Sequence, residues 1–88
     1  MTIENQIKHL ERKIKMCSGM MESTAKSIVS YSQNADVLLN RKGSQDGRGL
    51  FHNIAHIEDM ARSYRETQYR IDNYRDEIHE LRRQLEAA

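Results

Sequence analysis

The residues best suited to chemistry in this sequence are His52, His56 and Asp59. Imidazoles four residues apart share one face of a helix, and a carboxylate three residues further on lies close to that face, which suits a zinc-like metal ion. The His-Glu-x-x-His pattern of metalloproteases and the Glu-x-x-His pattern of di-iron bundles are both absent. We therefore interpret these side chains as polar neighbours of an apolar stripe and predict no metal ion or cofactor.

Residues 41–51, RKGSQDGRGLF, hold three of the four glycines, a composition that raises the question of phosphate binding. A P-loop needs G-x-x-x-x-G-K-[ST] after a strand, but Arg48 stands five residues after Gly43. The dinucleotide-binding pattern G-x-G-x-x-G is absent as well. After Gly47 and Gly49 the chain continues to Phe51 and His52, and His52 stands where the third glycine is required. We interpret the stretch as a helix end and a flexible turn, with an anion site formed by its basic residues as the weaker alternative.

Neither the cysteine nor the tyrosines predict a catalytic or nucleic-acid site. Cys17 is the only cysteine, so an internal disulfide is excluded and a reducing cytosol is the expected compartment. No His-Asp arrangement activates this thiol or a serine, so we predict no enzyme. Tyr64, Tyr69 and Tyr74 alternate with arginines as in a base-stacking surface, but acidic residues interrupt them and the net charge is only +1. We predict no nucleic-acid binding.

These side chains must be positioned by long helices, because apolar or small residues recur from Ile3 onward in steps of four and three. This is a heptad repeat, and only a helix places its a and d positions on one line, here called the seam. The predicted seam positions are Ile3, Ile7, Leu10, Ile14, Cys17, Met21, Thr24, Ile28, Tyr31, Ala35 and Leu38. With Thr2 as the N-cap and Gly43 after the last turn, the first helix is predicted over residues 3–42. Glutamates four residues before a lysine or arginine support the exposed faces of both helices: Glu4–Lys8, Glu11–Lys15 and Glu22–Lys26 on the first, and Glu58–Arg62 and Glu66–Arg70 on the second.

A second heptad-like stretch predicts another helix over residues 49–86. Its seam begins at Leu50, Ile54 and Ile57 and continues at Met60 or Ala61, which requires a three-residue slip. The later positions are regular: Tyr64, Thr67, Ile71, Tyr74, Ile78, Leu81 and Leu85.

Two apolar seams of equal length joined by a short polar loop at 43–48 predict an all-α fold, an antiparallel two-helix hairpin in a single domain over residues 1–88. The rival is one continuous helix in a parallel coiled coil, which three glycines at the midpoint oppose. The longest aliphatic run is Val37-Leu38-Leu39, so neither a membrane span nor a signal-peptide core is expected.

The apolar stripe widens towards the loop, and this widening predicts a second contact face. A lone hairpin buries only the facing sides of its helices, so surplus apolar residues indicate association into a four-helix bundle, with itself or with another helical protein. The alternative is that they only thicken the hairpin's own core. The predicted partner-binding residues are Met16, Met20, Val29, Val37, Leu39, Leu50, Phe51, Ile54, Ile57 and Met60.

An antiparallel hairpin of this length with a short glycine-containing turn resembles the WXG100-like small proteins and helical targeting partners of type VII secretion. The turn reads KGSQDGRG in place of Trp-x-Gly, and no C-terminal tyrosine precedes an acidic residue by four, so the resemblance lies in the architecture. It implies an accessory or chaperone-like partner, and the small helical-hairpin chaperones of type III secretion share the same outline.

The sequence predicts a non-enzymatic protein–protein interaction module: a helical-hairpin adaptor, chaperone or targeting partner of a bacterial secretion system. The alternative is a small regulatory or phage-type inhibitor that blocks a larger complex through its charged outer face. A metal- or nucleotide-binding bundle is the third hypothesis. No membrane or small-molecule partner is expected, and the predicted location is the cytoplasm, or export with a partner by a leaderless route.

Overall fold

The chain forms two long helices in a computed structural model that describes residues 2–40 and 48–87, with side chains over 2–35 and 49–87. Helix α1 comprises Ile3–Asn40 and helix α2 comprises Arg48–Ala87. The described residues contain no strand, and α1 and α2 pack as the predicted antiparallel hairpin. Arg48, predicted to end the loop, begins α2 instead, whereas Gly43 and the rest of the predicted turn lie outside the described residues.

The first turn of α1 is capped as the sequence predicts. Thr2 Oγ1 accepts a hydrogen bond from the Asn5 backbone N–H at 3.1 Å. The Thr2 carbonyl accepts the Gln6 N–H at 3.0 Å, and Glu4 stands in the first turn. The cap satisfies one otherwise unpaired donor, and the carboxylate lies at the positive end of the helix dipole.

The chain divides into two compact units, each containing a part of both helices. The terminal unit comprises Met1–Met21 with Glu66–Ala88, and the central unit comprises Glu22–Arg65. The two units differ in their interiors.

The terminal unit holds a conventional apolar core between α1 and α2. Its buried hydrophobic residues are Ile7, Leu10, Cys17, Met21, Ile71 and Ile78. They form two clusters, and both Ile14 and Tyr74 pack against each of them. The predicted burial of Cys17 on the seam is confirmed.

Charged side chains bridge the rim of this core. Glu11 Oε1 lies 3.6 Å from Arg82 Nη2 on the other helix, and Lys13 Nζ lies 5.5 Å from the centre of the Tyr74 ring. Both members of the ion pair are more than half exposed, so water screens the pair and its contribution is small. Glu11 was expected to pair with Lys15 along its own helix, and it contacts α2 instead.

The central unit confirms one predicted ion pair and changes another. Glu22 and Lys26 lie 3.4 Å apart at the predicted spacing of four. Arg62, expected to pair with Glu58, lies 3.7 Å from Asp59 Oδ1. All these side chains are exposed, so the pairs support the helices only weakly.

The seam of α2 runs without the predicted slip. Asn53 is buried at 6% exposure, whereas Ile54, predicted as a seam residue, is 44% exposed. The seam therefore passes through Leu50, Asn53, Ile57, Met60, Tyr64, Thr67, Ile71, Tyr74, Ile78 and Leu81 in steps of three and four. The prediction was wrong because it followed hydrophobicity at Ile54 and not the period of the helix.

Candidate partner-binding surface

Among the side chains that the structure describes, the central unit has no buried apolar core like that of the terminal unit. Of its described side chains only Asn53 is buried, and that residue is polar. Its seam tyrosines, Tyr31 and Tyr64, keep 38% and 39% of their surface exposed. The hairpin alone therefore leaves much of the apolar surface of this unit in contact with water.

Three hydrophobic side chains of the central unit are strongly exposed. Val29 is 56% exposed, Phe51 70% and Ile54 44%. Each follows a seam position by one residue, so each lies on the same flank of its helix. We call these three residues the apolar flank.

The two helices present their apolar flank to one side. In an antiparallel pair, positions that follow the seam on either helix face the same side, and the Glu11–Arg82 contact of the terminal unit illustrates this rule. Val29 on α1 and Ile54 on α2 occupy such positions within the central unit. A partner helix laid along this side would cover residues of both helices at once.

Leu50, Ile57 and Met60, also predicted to bind a partner, are seam residues and half-buried. They line the inner edge of the apolar flank. Their exposure shows that the hairpin does not close completely over its own seam in this unit, so a partner would contact them as well as the flank.

Two of the predicted partner-binding residues lie outside the central unit. Met16 and Met20 are 70% and 53% exposed, but they belong to the terminal unit and precede the seam residues Cys17 and Met21. They therefore lie on the opposite flank of α1 from Val29. The side chains of Val37 and Leu39 lie outside the described residues.

The histidines that suggested a metal site pack against aromatic rings. The His56 ring meets the Tyr31 ring edge-to-face, with centroids 4.6 Å apart and planes at 67°. The His52 ring lies 6.0 Å from the neighbouring Phe51 ring. Over the described part of the chain, no three histidine, cysteine, aspartate or glutamate side chains come together in a metal-binding geometry.

Asn53 is the residue of this region that sequence reasoning missed. Its side-chain Oδ1 is buried, and no hydrogen-bond donor reaches it within the described part of the structure. An unpaired buried carbonyl oxygen costs free energy, so such a group is uncommon in a well-packed core. The available signal was the strict alternation of steps from Leu50, which places position 53 on the seam.

No family model matches the chain, and no curated protein or solved structure is similar to it. In the described residues, neither helix contains a stretch long and apolar enough to cross a membrane. Inferences about function therefore rest on the surface itself.

Proposed function

We propose that the chain is a non-enzymatic protein–protein interaction module whose central unit binds helices. The observation that supports it most is the contrast between the two units. Every buried hydrophobic residue that the structure describes lies in the terminal unit, while Val29, Phe51 and Ile54 of the central unit are exposed. One unit holds the hairpin together, and the other offers an apolar surface to a partner.

The number of helices supports the same proposal. Because a hairpin has only two helices, covering the apolar flank with two more helices completes a four-helix bundle.

The chemistry of this surface favours a helical partner over a small molecule or nucleic acid. Residues 22–65 carry six basic and five acidic side chains, so no strong field selects a charged ligand. The flank runs along two helices, and a partner helix matches it by inserting its side chains between theirs. A cytoplasmic adaptor, chaperone or targeting partner of a secretion system is the role that we propose for such a module.

Charge placed on the apolar flank provides the test. A double variant with Val29→Glu and Ile54→Glu puts carboxylates where a partner would exclude water, which should weaken binding by roughly tenfold or more. Gln33→Glu is the control, because Gln33 is exposed on the face of α1 that points away from the seam. Association would be followed by light-scattering mass and by the proteins that each variant captures from an extract of its native cells.

The proposal requires that association depends on the flank and not on the control position. If neither self-association nor capture changed in the double variant while its helix content stayed intact, the central unit would not be the binding surface. Circular dichroism of both variants checks that the hairpin has formed.

A further inference from the structure

Four sulfur-containing residues follow one another closely in α1, in the stretch MCSGMM at 16–21, and the structure separates them into two pairs. Cys17 and Met21 are both 8% exposed and pack with Ile71 in the terminal core. Met16 and Met20 are 70% and 53% exposed, and neither contributes to the two core clusters. One short stretch of helix therefore presents two thioethers to water and keeps a third thioether and the thiol inside.

The two exposed methionines are neighbours on the helix surface. Met16 and Met20 are four residues apart, and side chains at this spacing follow one another along one face of a helix, with Cβ atoms about 5–6 Å apart. Met21 lies one residue further on, which turns it by about 100° from Met20 towards the seam. A small polar molecule in solution can thus reach the first two sulfur atoms from the same side.

A thioether in contact with water is open to oxidation by hydrogen peroxide. A lone pair on Sδ attacks one peroxide oxygen, and the O–O bond breaks. The proton of the transferred oxygen passes to the departing hydroxide, which leaves as water. Sulfur loses two electrons and peroxide gains them, and the product is a sulfoxide, a polar group that sulfoxide reductases return to the thioether.

We infer that Met16 and Met20 form an oxidation site, which hydrogen peroxide converts to sulfoxides while Met21 is spared and the hairpin stays folded. The two exposed side chains make no contact in the core clusters, so their sulfoxides change the polarity of one flank of α1 and leave the core intact. The same reaction at Met21 would place a polar oxygen beside Ile71, where burial without a partner is unfavourable.

Peroxide treatment of the full chain, followed by tryptic digestion and mass spectrometry, tests the selectivity. Residues 16–26 form one tryptic peptide, since Lys15 precedes it and Lys26 ends it, so all three methionines are compared in the same fragment spectra. In the folded chain, Met16 and Met20 should be oxidised about fivefold faster than Met21 or more, because a buried side chain reacts only when the structure opens locally. The chain unfolded in urea is the control, and there the three rates should be similar. Equal rates in the folded chain would overturn the inference.

Glutamine variants test whether the hairpin tolerates the change in polarity. Glutamine is close to methionine in helix propensity and carries a polar end, as the sulfoxide does. The double variant Met16→Gln, Met20→Gln should keep the urea midpoint of the unmodified chain, whereas Met21→Gln should unfold at a clearly lower urea concentration. A double variant that lost as much as Met21→Gln would also overturn the inference, because the exposed pair would then support the core.

Discussion

The His56 and Tyr31 rings meet edge-to-face with centroids 4.6 Å apart, which joins α2 to α1 within the central unit. We predict that His56→Ala lowers the free energy of unfolding by about 0.5–1.5 kcal/mol, the usual value of an aromatic pair. His52→Ala is the control, because His52 contacts Phe51 of its own helix. Urea unfolding of both variants gives the comparison, and equal losses would show that the interhelical contact contributes nothing.

Two isoleucines of α2 should respond very differently to the same truncation. Ile71 is 3% exposed in the terminal core, whereas Ile54 is 44% exposed on the apolar flank. We predict that Ile71→Ala costs about 2–5 kcal/mol, because it leaves a cavity in a packed core. Ile54→Ala should cost well under half of that in the isolated chain.

Denaturant midpoints of the two alanine variants check this prediction at low protein concentration, where association contributes least. Similar losses at both positions would mean that Ile54 is buried in the hairpin itself. The apolar flank would then be part of the core and not a surface for a partner.

Gly19 offers a change that should stabilise the hairpin. It lies in the middle of α1, and a Cβ atom built on it meets nothing within 4 Å. Alanine at a solvent-facing helix position is favoured over glycine by about 1 kcal/mol, so Gly19→Ala should raise the free energy of unfolding by that amount. Thermal unfolding followed by circular dichroism measures the gain, and a loss of stability would indicate that another surface packs closely at this position.

The helices themselves were predictable because their signals are local and repeated. The a and d positions of α1, from Ile3 to Ala35, follow one period over five heptads, and Thr2 stands where the first turn needs a cap. The start of α1 and the antiparallel pairing follow from such patterns. Burial on the terminal seam was predictable as well, because no neighbouring set of apolar residues offers an alternative to a seam through Ile7, Leu10 and Cys17.

The surface of the central unit was only partly predictable, because periodicity and hydrophobicity disagree there. At positions 53 and 54 the helical period selects asparagine for the seam, while hydrophobicity selects isoleucine. The period prevails, because a seam that passed through residue 54 in place of residue 53 would require every later side chain to rotate about the helix axis by about 100°. Likewise Met16 and Met20 are near Val29 in the sequence, but their heptad positions place them on another flank.

Asn53 provides the last prediction, because a polar residue on the seam should weaken the hairpin of a single chain. At concentrations where the chain is monomeric, Asn53→Leu replaces an unpaired buried oxygen with a side chain of similar size. The free energy of unfolding should rise by about 1–3 kcal/mol, the cost of leaving such a group unsatisfied. Asn73→Leu is the control, since Asn73 is exposed one residue before the seam residue Tyr74, and its change should be near zero.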